Sequence, residues 1–320
     1  MIQLVAFRNA ERELGLFQKD GDIVRYFLNT KVALYSVLDE NSWQLWVQQV
    51  EAGYANGDKE IISKDAIRYF LDRYAETISI DIVEMGDVKN PGCYYPRISR
   101  ENVLFNYVNQ EFLQDVRAYQ NIQSSLDVLF NYIEPSTDNF SAYGHKIREL
   151  LILACTEVEC LLVKTLTDNG YEQKDRYSTN DYVKCKNILG LHKFETILSQ
   201  YPNLKVFKPF FDWNADSPTK SLPWYDAYNA VKHNRSDNIA DANLEHLLDA
   251  ISAIHVLLES QYGKNIFERW NSLTEDRSIY KTIARPEWSC TEITAPILRG
   301  DFKIKGIWTD QRKYFEDYRI

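Results

Sequence analysis

Residues 147–165 read IRELLILACTEVECLLVKT, and their apolar side chains return at steps of three and four residues. The positions that form this stripe are Ile147, Leu150, Leu151, Ala154, Val158, Leu161, Leu162 and Thr165. Asp168-Asn169-Gly170 follows as a signal for a helix stop in the left-handed conformation. The pattern therefore predicts a long amphipathic helix with one buried face.

The same periodicity continues on both sides of this helix. The further helices that it predicts cover residues 103–133, 181–198, 222–232 and 243–261. Residues 233–241 form a polar break between the last two helices. Because short connections favour antiparallel neighbours, we expect a mainly α fold built on an antiparallel helical bundle over residues 101–263.

The two ends of the chain are less regular. Short alternating stretches predict strands at residues 2–7 and 78–83, and apolar periodicity predicts helices at 42–52 and 64–74. Residues 1–100 are therefore interpreted as a small α+β region. Residues 264–320 are rich in aromatic side chains and carry short alternating runs. We expect this extension to be irregular or extended and to pack on the bundle.

The composition is that of a folded globular protein. Of 320 residues, 45% are hydrophobic and 13% aromatic, which is enough for a sizeable core. The 37 Lys and Arg against 46 Asp and Glu give a net charge of −9. A net negative charge works against non-specific attraction to a phosphate backbone, so a nucleic-acid site would have to be local.

Cysteine usage and the length of apolar runs bear on the compartment. Five cysteines without CxxC spacing indicate neither a disulfide framework nor a zinc site. We expect no metal and no cofactor, because the sequence has no Gly-rich phosphate loop, HExxH motif or Asp-rich metal loop. Apolar runs fall short of the about 18 residues that cross a bilayer, and the N-terminal run is too short for a secretory signal. The sequence predicts a cytoplasmic protein with no membrane partner.

One polar cluster follows an apolar helix in the stretch LPWYDAYNAVKHNR, residues 222–235. A helix turns by about 100° per residue, which places Asn229 and His233 on one face. His233 and Arg235 can reach one phosphate only if the helix ends near Lys232 and the chain bends, and the polar residues that follow favour such a break. An imidazole can move a proton near neutral pH, and Arg or Lys can hold a phosphate.

The candidate site residues follow from this chemistry. We predict catalytic roles for His233, Arg235 and Asn229, substrate binding by Lys232, Tyr228 and Trp224, and support from Glu157 and Arg148 on the helix of residues 147–165. The alternative is that His233 and Asn229 cap or cross-link helices while Lys232 and Arg235 are solvated. His145 at the start of the helix that carries Arg148 can reach the same cleft or stay on the surface. His255 lies on an inward stripe and is interpreted as a core histidine.

Residues 141–263 resemble the HEPN superfamily, small helical bundles found in bacterial toxins, phage-defence proteins and RNA-processing nucleases. The resemblance rests on Arg148-Glu149-Leu150 and Glu157-Val158-Glu159 in one helix, on the stretch 222–235, and on the long amphipathic last helix. It covers less than half of the chain.

The resemblance implies a homodimer whose paired basic motifs form a metal-independent RNA-cleaving cleft. Active members carry an Arg four to six residues before the His, whereas here residues 221–231 contain no Arg and Arg235 follows His233. Other members only bind partners or ligands. Two functions stay open: an endoribonuclease or toxin acting on RNA in bacterial defence or a toxin–antitoxin context, and a non-catalytic interaction or sensor module with a protein partner.

Overall fold

The computed structural model describes residues 2–29, 34–74, 80–100, 110–267, 278–300 and 306–318, and only the backbone of Leu34, Gln110, Arg235 and Asn265. Its strands are β1 (Ile2–Asn9), β2 (Leu14–Asp20), β3 (Ile23–Leu28), β4 (Leu34–Val37), β5 (Ile82–Asp87), β6 (Cys93–Tyr94), β7 (Glu195–Leu198), β8 (Tyr280–Ala284), β9 (Ile297–Leu298), β10 (Gly306–Ile307) and β11 (Asp310–Gln311). Its helices are α1 (Ser42–Glu51), α2 (Lys64–Tyr74), α3 (Gln110–Phe130), α4 (His145–Asp168), α5 (Thr179–Tyr182), α6 (Cys185–Ile188), α7 (Pro223–His233), α8 (Arg235–Asn238), α9 (Leu244–Tyr262) and α10 (Tyr314–Asp317).

The fold is mixed α+β, so the prediction of a mainly α fold was wrong. Strands β1 to β5 form a five-stranded sheet in the order β4-β3-β2-β1-β5, and neighbouring strands run antiparallel. Helical periodicity dominated the sequence interpretation, whereas β2 and β3 are apolar on both sides and show no clear alternation. A strand that is buried on both faces gives no period-two signal.

Both faces of the sheet are covered. One face packs on α1 and α2 through a core that includes Phe17, Trp43 and Phe70. The opposite face joins a second core, in which Leu4 and Leu16 lie with side chains of residues 290–298. Because the sheet lies between two apolar layers, six consecutive residues of β1 are buried.

The hairpin between β2 and β3 has a two-residue loop, since Asp20 pairs with Ile23. Gly21 in this loop has a φ of 61°, in the left-handed region that tight hairpin turns use. Glycine adopts this region without the steric cost of a Cβ. The loop residues Gly21-Asp22 are therefore the local signal for a hairpin that the apolar pattern does not reveal.

Four long helices, α3, α4, α7 and α9, contribute to one large hydrophobic core. Asp115 near the start of α3 accepts from Lys164 near the end of α4 at 2.7 Å, so these two helices are antiparallel. Tyr225 near the start of α7 donates to Glu159 in the second half of α4. The last turn of α7 meets Arg148 in the first turn of α4, so α7 is also antiparallel to α4.

Most of the predicted helices are confirmed. The helices expected at 42–52, 64–74, 147–165, 222–232 and 243–261 correspond to α1, α2, α4, α7 and α9. The strand expected at 78–83 and the helix expected at 103–133 begin at residues outside the described ranges.

The helix predicted at residues 181–198 was wrong. The short helices α5 and α6 are followed by strand β7, which pairs with β8 in an antiparallel ribbon. Gly190 has a φ of 64°, which ends the helical run. Thr196 and Ile197 are β-branched residues that favour the extended chain that follows.

The chain forms two compact units. Unit 1 comprises residues 1–94, 100–106 and 288–312, and it holds the five-stranded sheet with α1 and α2. Unit 2 comprises residues 95–99, 107–287 and 313–320, and it holds the long helices and the β7–β8 ribbon. In the described ranges, no helix combines the length and the apolar character that crossing a bilayer requires.

Candidate functional site

Helix α7 carries the predicted site residues, and its two ends are defined by local chemistry. It begins at Pro223, whose ring fits the first position of a helix because no hydrogen bond is needed there. It ends at His233, and Asn234 leaves the helical conformation with φ −137° and ψ 79°. The backbone therefore bends directly after His233, as the sequence predicted.

The C-terminal end of α7 is capped by side chains from elsewhere in unit 2. Arg148 of α4 donates from Nε and Nη2 to the Val231 carbonyl oxygen at 3.1 and 3.0 Å. Asn238 donates to the Ala230 carbonyl oxygen at 3.3 Å. The Ala230 carbonyl also accepts from the backbone N–H of Asn234 at 2.9 Å. Carbonyls in the last turn of a helix have few intrahelical donors, and a cation at this end interacts favourably with the helix dipole. Arg148 thus fixes the last turn of α7 against α4.

A row of polar groups lines the contact between α7 and α4. Lys232 donates to the Tyr228 hydroxyl at 2.7 Å, and this hydrogen bond raises the pKa of the lysine. Tyr225 donates to the Glu159 carboxylate. Burial, and then the neighbouring Glu159, raise the pKa of Tyr225. The row places one ammonium and one carboxylate on successive turns, each tied to a tyrosine hydroxyl.

The polar side chains at the end of α7 face solvent. His233 and Lys232 are exposed, and Asn229 one turn earlier is half-buried. Arg235 begins the short helix α8, but its side chain lies outside the described part of the chain, so its predicted phosphate contact stays a prediction. The structure therefore brings Lys232, His233 and the cap residue Arg148 to one end of the α4–α7 pair.

The two aromatic residues predicted to bind substrate lie in the core. Trp224 is 2% exposed and donates its indole N–H to the Pro209 carbonyl oxygen at 2.9 Å. Tyr228 is 1% exposed and contacts Tyr225 edge to face at 5.3 Å between ring centroids. Both side chains stabilise the packing of α7, and Tyr228 reaches the surface only through its bond to Lys232.

Glu157 does not lie at this site. It is nine positions beyond Arg148 on α4, which corresponds to about 14 Å along the helix axis. Burial, followed by the nearby Asp115 carboxylate, raises the pKa of Glu157. Its environment is therefore a different cluster, which gathers at the opposite end of α4.

That cluster is organised by Arg97, whose side chain is 3% exposed. Its guanidinium donates to Asp115 at 2.7 Å, to Gln261 at 2.9 Å, to Asp168 at 3.0 Å and to Glu111 at 3.2 Å. Arg97 has a φ of 55°, a left-handed conformation that is costly for a residue with a Cβ. The hydrogen bonds hold residues 95–99 against the ends of α3, α4 and α9, so we assign the cluster to structure.

A second buried polar chain surrounds His255. Thr282 donates to Glu259 at 2.6 Å, so its hydroxyl proton is already committed. The Nε2 atom of His255, 2.9 Å from Thr282, must therefore be a donor, and in the neutral ring Nδ1 accepts from Ser278 at 2.7 Å. The ring also stacks on Phe267 at 4.6 Å. His255 is a satisfied core histidine, in agreement with the sequence interpretation.

Sequence reasoning missed Glu159, Tyr225 and Arg97. Glu159 lies on the α7-facing side of α4 with Arg148, at a spacing of about three turns, and this spacing is visible in the sequence. The interpretation chose Glu157 because it falls on the apolar stripe. For Arg97 the sequence carries no comparable signal, because its partners come from three separate helices.

Within the described ranges, no group of three or more His, Cys, Asp or Glu side chains is arranged to hold a metal ion. Comparisons with known proteins add no further constraint on the site: no family model, curated protein or solved structure matches this chain.

Proposed function

We propose that this chain is a metal-independent endoribonuclease of the kind that its resemblance to HEPN proteins implies, with its site at the end of α7. The observation that supports the proposal most directly is the exposure of His233 at the last position of α7, next to the exposed Lys232. An imidazole moves protons near neutral pH, and an ammonium attracts a phosphate. Arg148 fixes the position of this helix end.

The reaction needs no nucleophile from the protein. The ribose 2′-oxygen attacks phosphorus, its proton passes to a base, and the bond between phosphorus and the 5′-oxygen breaks as that oxygen receives a proton from an acid. The products are a 2′,3′-cyclic phosphate and a 5′-hydroxyl. His233 moves one of these two protons, and Lys232 and Arg235 hold the phosphate. Asn229 positions the substrate.

An exposed aromatic residue near this end of the helix pair favours RNA as the substrate. Tyr143 is 57% exposed and lies two residues before the start of α4. Aromatic side chains on protein surfaces stack with unpaired bases, and single-stranded RNA presents such bases. The net charge of −9 confines any such contact to a local surface.

We further expect a cytoplasmic homodimer that acts in bacterial defence or a toxin–antitoxin pair.

The second candidate is a non-catalytic interaction or sensor module that binds a protein partner. Two observations favour it. Arg148 uses two of its donors on the Val231 carbonyl, and Lys232 is held by the Tyr228 hydroxyl. Polar groups that are committed within the chain stabilise the fold and have less capacity for a substrate.

Incubation of the purified protein with a mixed RNA pool in EDTA separates the two functions. The nuclease proposal expects products with 2′,3′-cyclic phosphate ends and a fall of about 10²–10⁴-fold in kcat/KM for His233→Ala. Asp226→Asn, on the same exposed face of α7, is the matched control and should keep the activity. In cells, expression of the wild type should be toxic and expression of His233→Ala harmless. An RNA pool left intact by the wild type would reject the nuclease and favour the interaction module.

A further inference from the structure

The side of α4 that faces α7 continues to the first residue of the helix. Arg148 and Glu159 both contact α7, and they lie about three turns apart on one side of α4. His145 precedes Arg148 by three residues and is therefore one turn further along the same side. It is the first residue of α4, and it is exposed.

The antiparallel arrangement brings His145 to the level of His233. The contact between Arg148 and the Val231 carbonyl fixes the register of the two helices. His233 lies two residues beyond Val231, about 3 Å further along the axis, and His145 lies about 4.5 Å from Arg148 in the same direction. Both histidines therefore occupy the same end of the α4–α7 pair.

The two imidazoles also share the solvent side of that pair. The opposite sides face the core, as the burial of Leu151 on α4 and Val231 on α7 shows. The side chains of His145 and His233 are exposed, so each projects away from this core. Packed helices have axes about 8–10 Å apart, so the two rings lie on either side of the boundary between α4 and α7. Lys232 lies between them on the side of α7 that faces α4.

We infer that His145 is a second catalytic residue of this site, a general base that accepts the proton of the 2′-hydroxyl while His233 protonates the 5′-oxygen. This inference rests on the proposed endoribonuclease function. It gives a single chain both proton-transfer groups, so a partner subunit is not needed to complete the chemistry. The 2′-proton ends on His145, and the proton that His233 loses ends on the released 5′-hydroxyl.

The order of the two roles follows from helix polarity. The N-terminal end of a helix disfavours a nearby positive charge, and the C-terminal end favours one. His145 occupies the first position of the 24-residue helix α4, and His233 the last position of α7. Helix polarity therefore favours His145 as the base and His233 as the acid.

Two substrates with different leaving groups separate the base from the acid. An RNA oligonucleotide leaves as an alkoxide that needs a proton, whereas uridine 3′-(4-nitrophenyl phosphate) releases a phenolate that does not. We expect His145→Ala to lower kcat/KM by about 10²–10⁴-fold on both substrates. His233→Ala should show such a loss on RNA and near-wild-type turnover of the nitrophenyl ester. Lys146→Ala, exposed beside His145, is the matched control, and melting curves verify that each variant folds.

Mixing the two inactive variants tests whether one chain holds the complete site. A mixture of His145→Ala and His233→Ala that stays inactive supports the single-chain pair, whereas recovered activity shows that the two imidazoles come from different copies and overturns it. Full activity of His145→Ala on both substrates, with an active wild type, would reject His145 and leave the nuclease proposal standing. A wild type that cleaves neither substrate would reject both.

Discussion

Replacement of Arg97 by Met tests whether one buried guanidinium holds the ends of three helices together. Arg97 donates to three carboxylates and to the Gln261 side chain. Met retains the Cβ and an unbranched stem, so the cost of the left-handed backbone is unchanged while the charge and its hydrogen bonds are lost. The variant therefore isolates the electrostatic contribution.

The exposure of each partner sets the magnitude. Asp168 and Glu111 are 35% and 59% exposed, so water replaces the guanidinium at a cost of about 0–1 kcal/mol each. Asp115 is 3% exposed, and the loss of a buried hydrogen bond to a charged group costs about 1.5–3 kcal/mol. The unpaired Gln261 oxygen adds about 1–3 kcal/mol. These parts add up to about 2.5–8 kcal/mol, and we expect the lower half of that range, about 3–5 kcal/mol, which is typical of a buried pair that loses one partner.

Urea unfolding of the wild type and two variants measures this cost. Lys164→Met is the matched comparison, because Lys164 also donates to Asp115 at 2.7 Å but is 34% exposed. Lys164→Met should lose less than half as much unfolding free energy as Arg97→Met. The slope of the unfolding free energy against urea concentration should be unchanged. If the two variants lose equal stability, then burial of the guanidinium does not determine the cost and the reasoning is refuted.

The same variant should change the response to acid. Burial alone raises the pKa of Asp115, but the hydrogen bond from Lys164 and the charge of Arg97 outweigh it, and the pKa lies below its usual value. A carboxyl with a lowered pKa in the fold stabilises it above its unfolded-state pKa of about 4, and this stability is lost as the pH falls through the folded pKa. Arg97→Met weakens the effect, so acid unfolding followed by circular dichroism should begin at a higher pH.

Substitutions at three further positions give distinct expected outcomes. His233→Ala should keep the melting temperature within about 2 °C of the wild type, because an exposed side chain makes few packing contacts. A fall of many degrees in calorimetry would instead show that His233 has a structural role. His255→Ala should lower the free energy of unfolding in urea by about 2–4 kcal/mol, because it leaves a cavity and removes the hydrogen bonds of the ring with Ser278 and Thr282. An unchanged stability would contradict the assignment of His255 to the core. Gly21→Val should lower the free energy of unfolding by about 1–2 kcal/mol, and Gly21→Asn should lower it less, since Asn tolerates a positive φ. Equal losses in the same assay would show that the positive φ is not the cause.

The sequence predicts the helices well because each has one apolar face and one polar face. Helices α4 and α9 were located by steps of three and four residues, and the turn after His233 by the polar residues that follow it. The sheet of unit 1 was predicted only in part. The alternation of residues 2–7 predicted β1, whereas β2 and β3 are buried on both sides and show no clear alternation. The turn residues Gly21-Asp22 mark the β2–β3 hairpin in the sequence.

In the candidate site, too, some features follow from local sequence and others depend on tertiary contacts. The position of His233 at a helix end follows from residues next to it in the chain. The cap that Arg148 places on α7 joins residues far apart in sequence, and periodicity cannot reveal it. Different faces of α4 also contact different neighbours. Glu157 and Glu159 are two residues, and therefore about 200°, apart around the helix, and they belong to separate polar clusters.

The division of the chain between the two units bears on how the protein folds during synthesis. All five strands of the unit 1 sheet have been made once residue 87 leaves the ribosome. One face of that sheet, which includes Leu4 and Leu16, is covered by residues 290–298. A nascent chain would therefore carry an uncovered apolar layer while about 200 further residues are translated, for roughly 10–40 seconds at about 5–20 residues per second. We expect chaperone occupancy on ribosome-bound chains to persist until this late segment emerges.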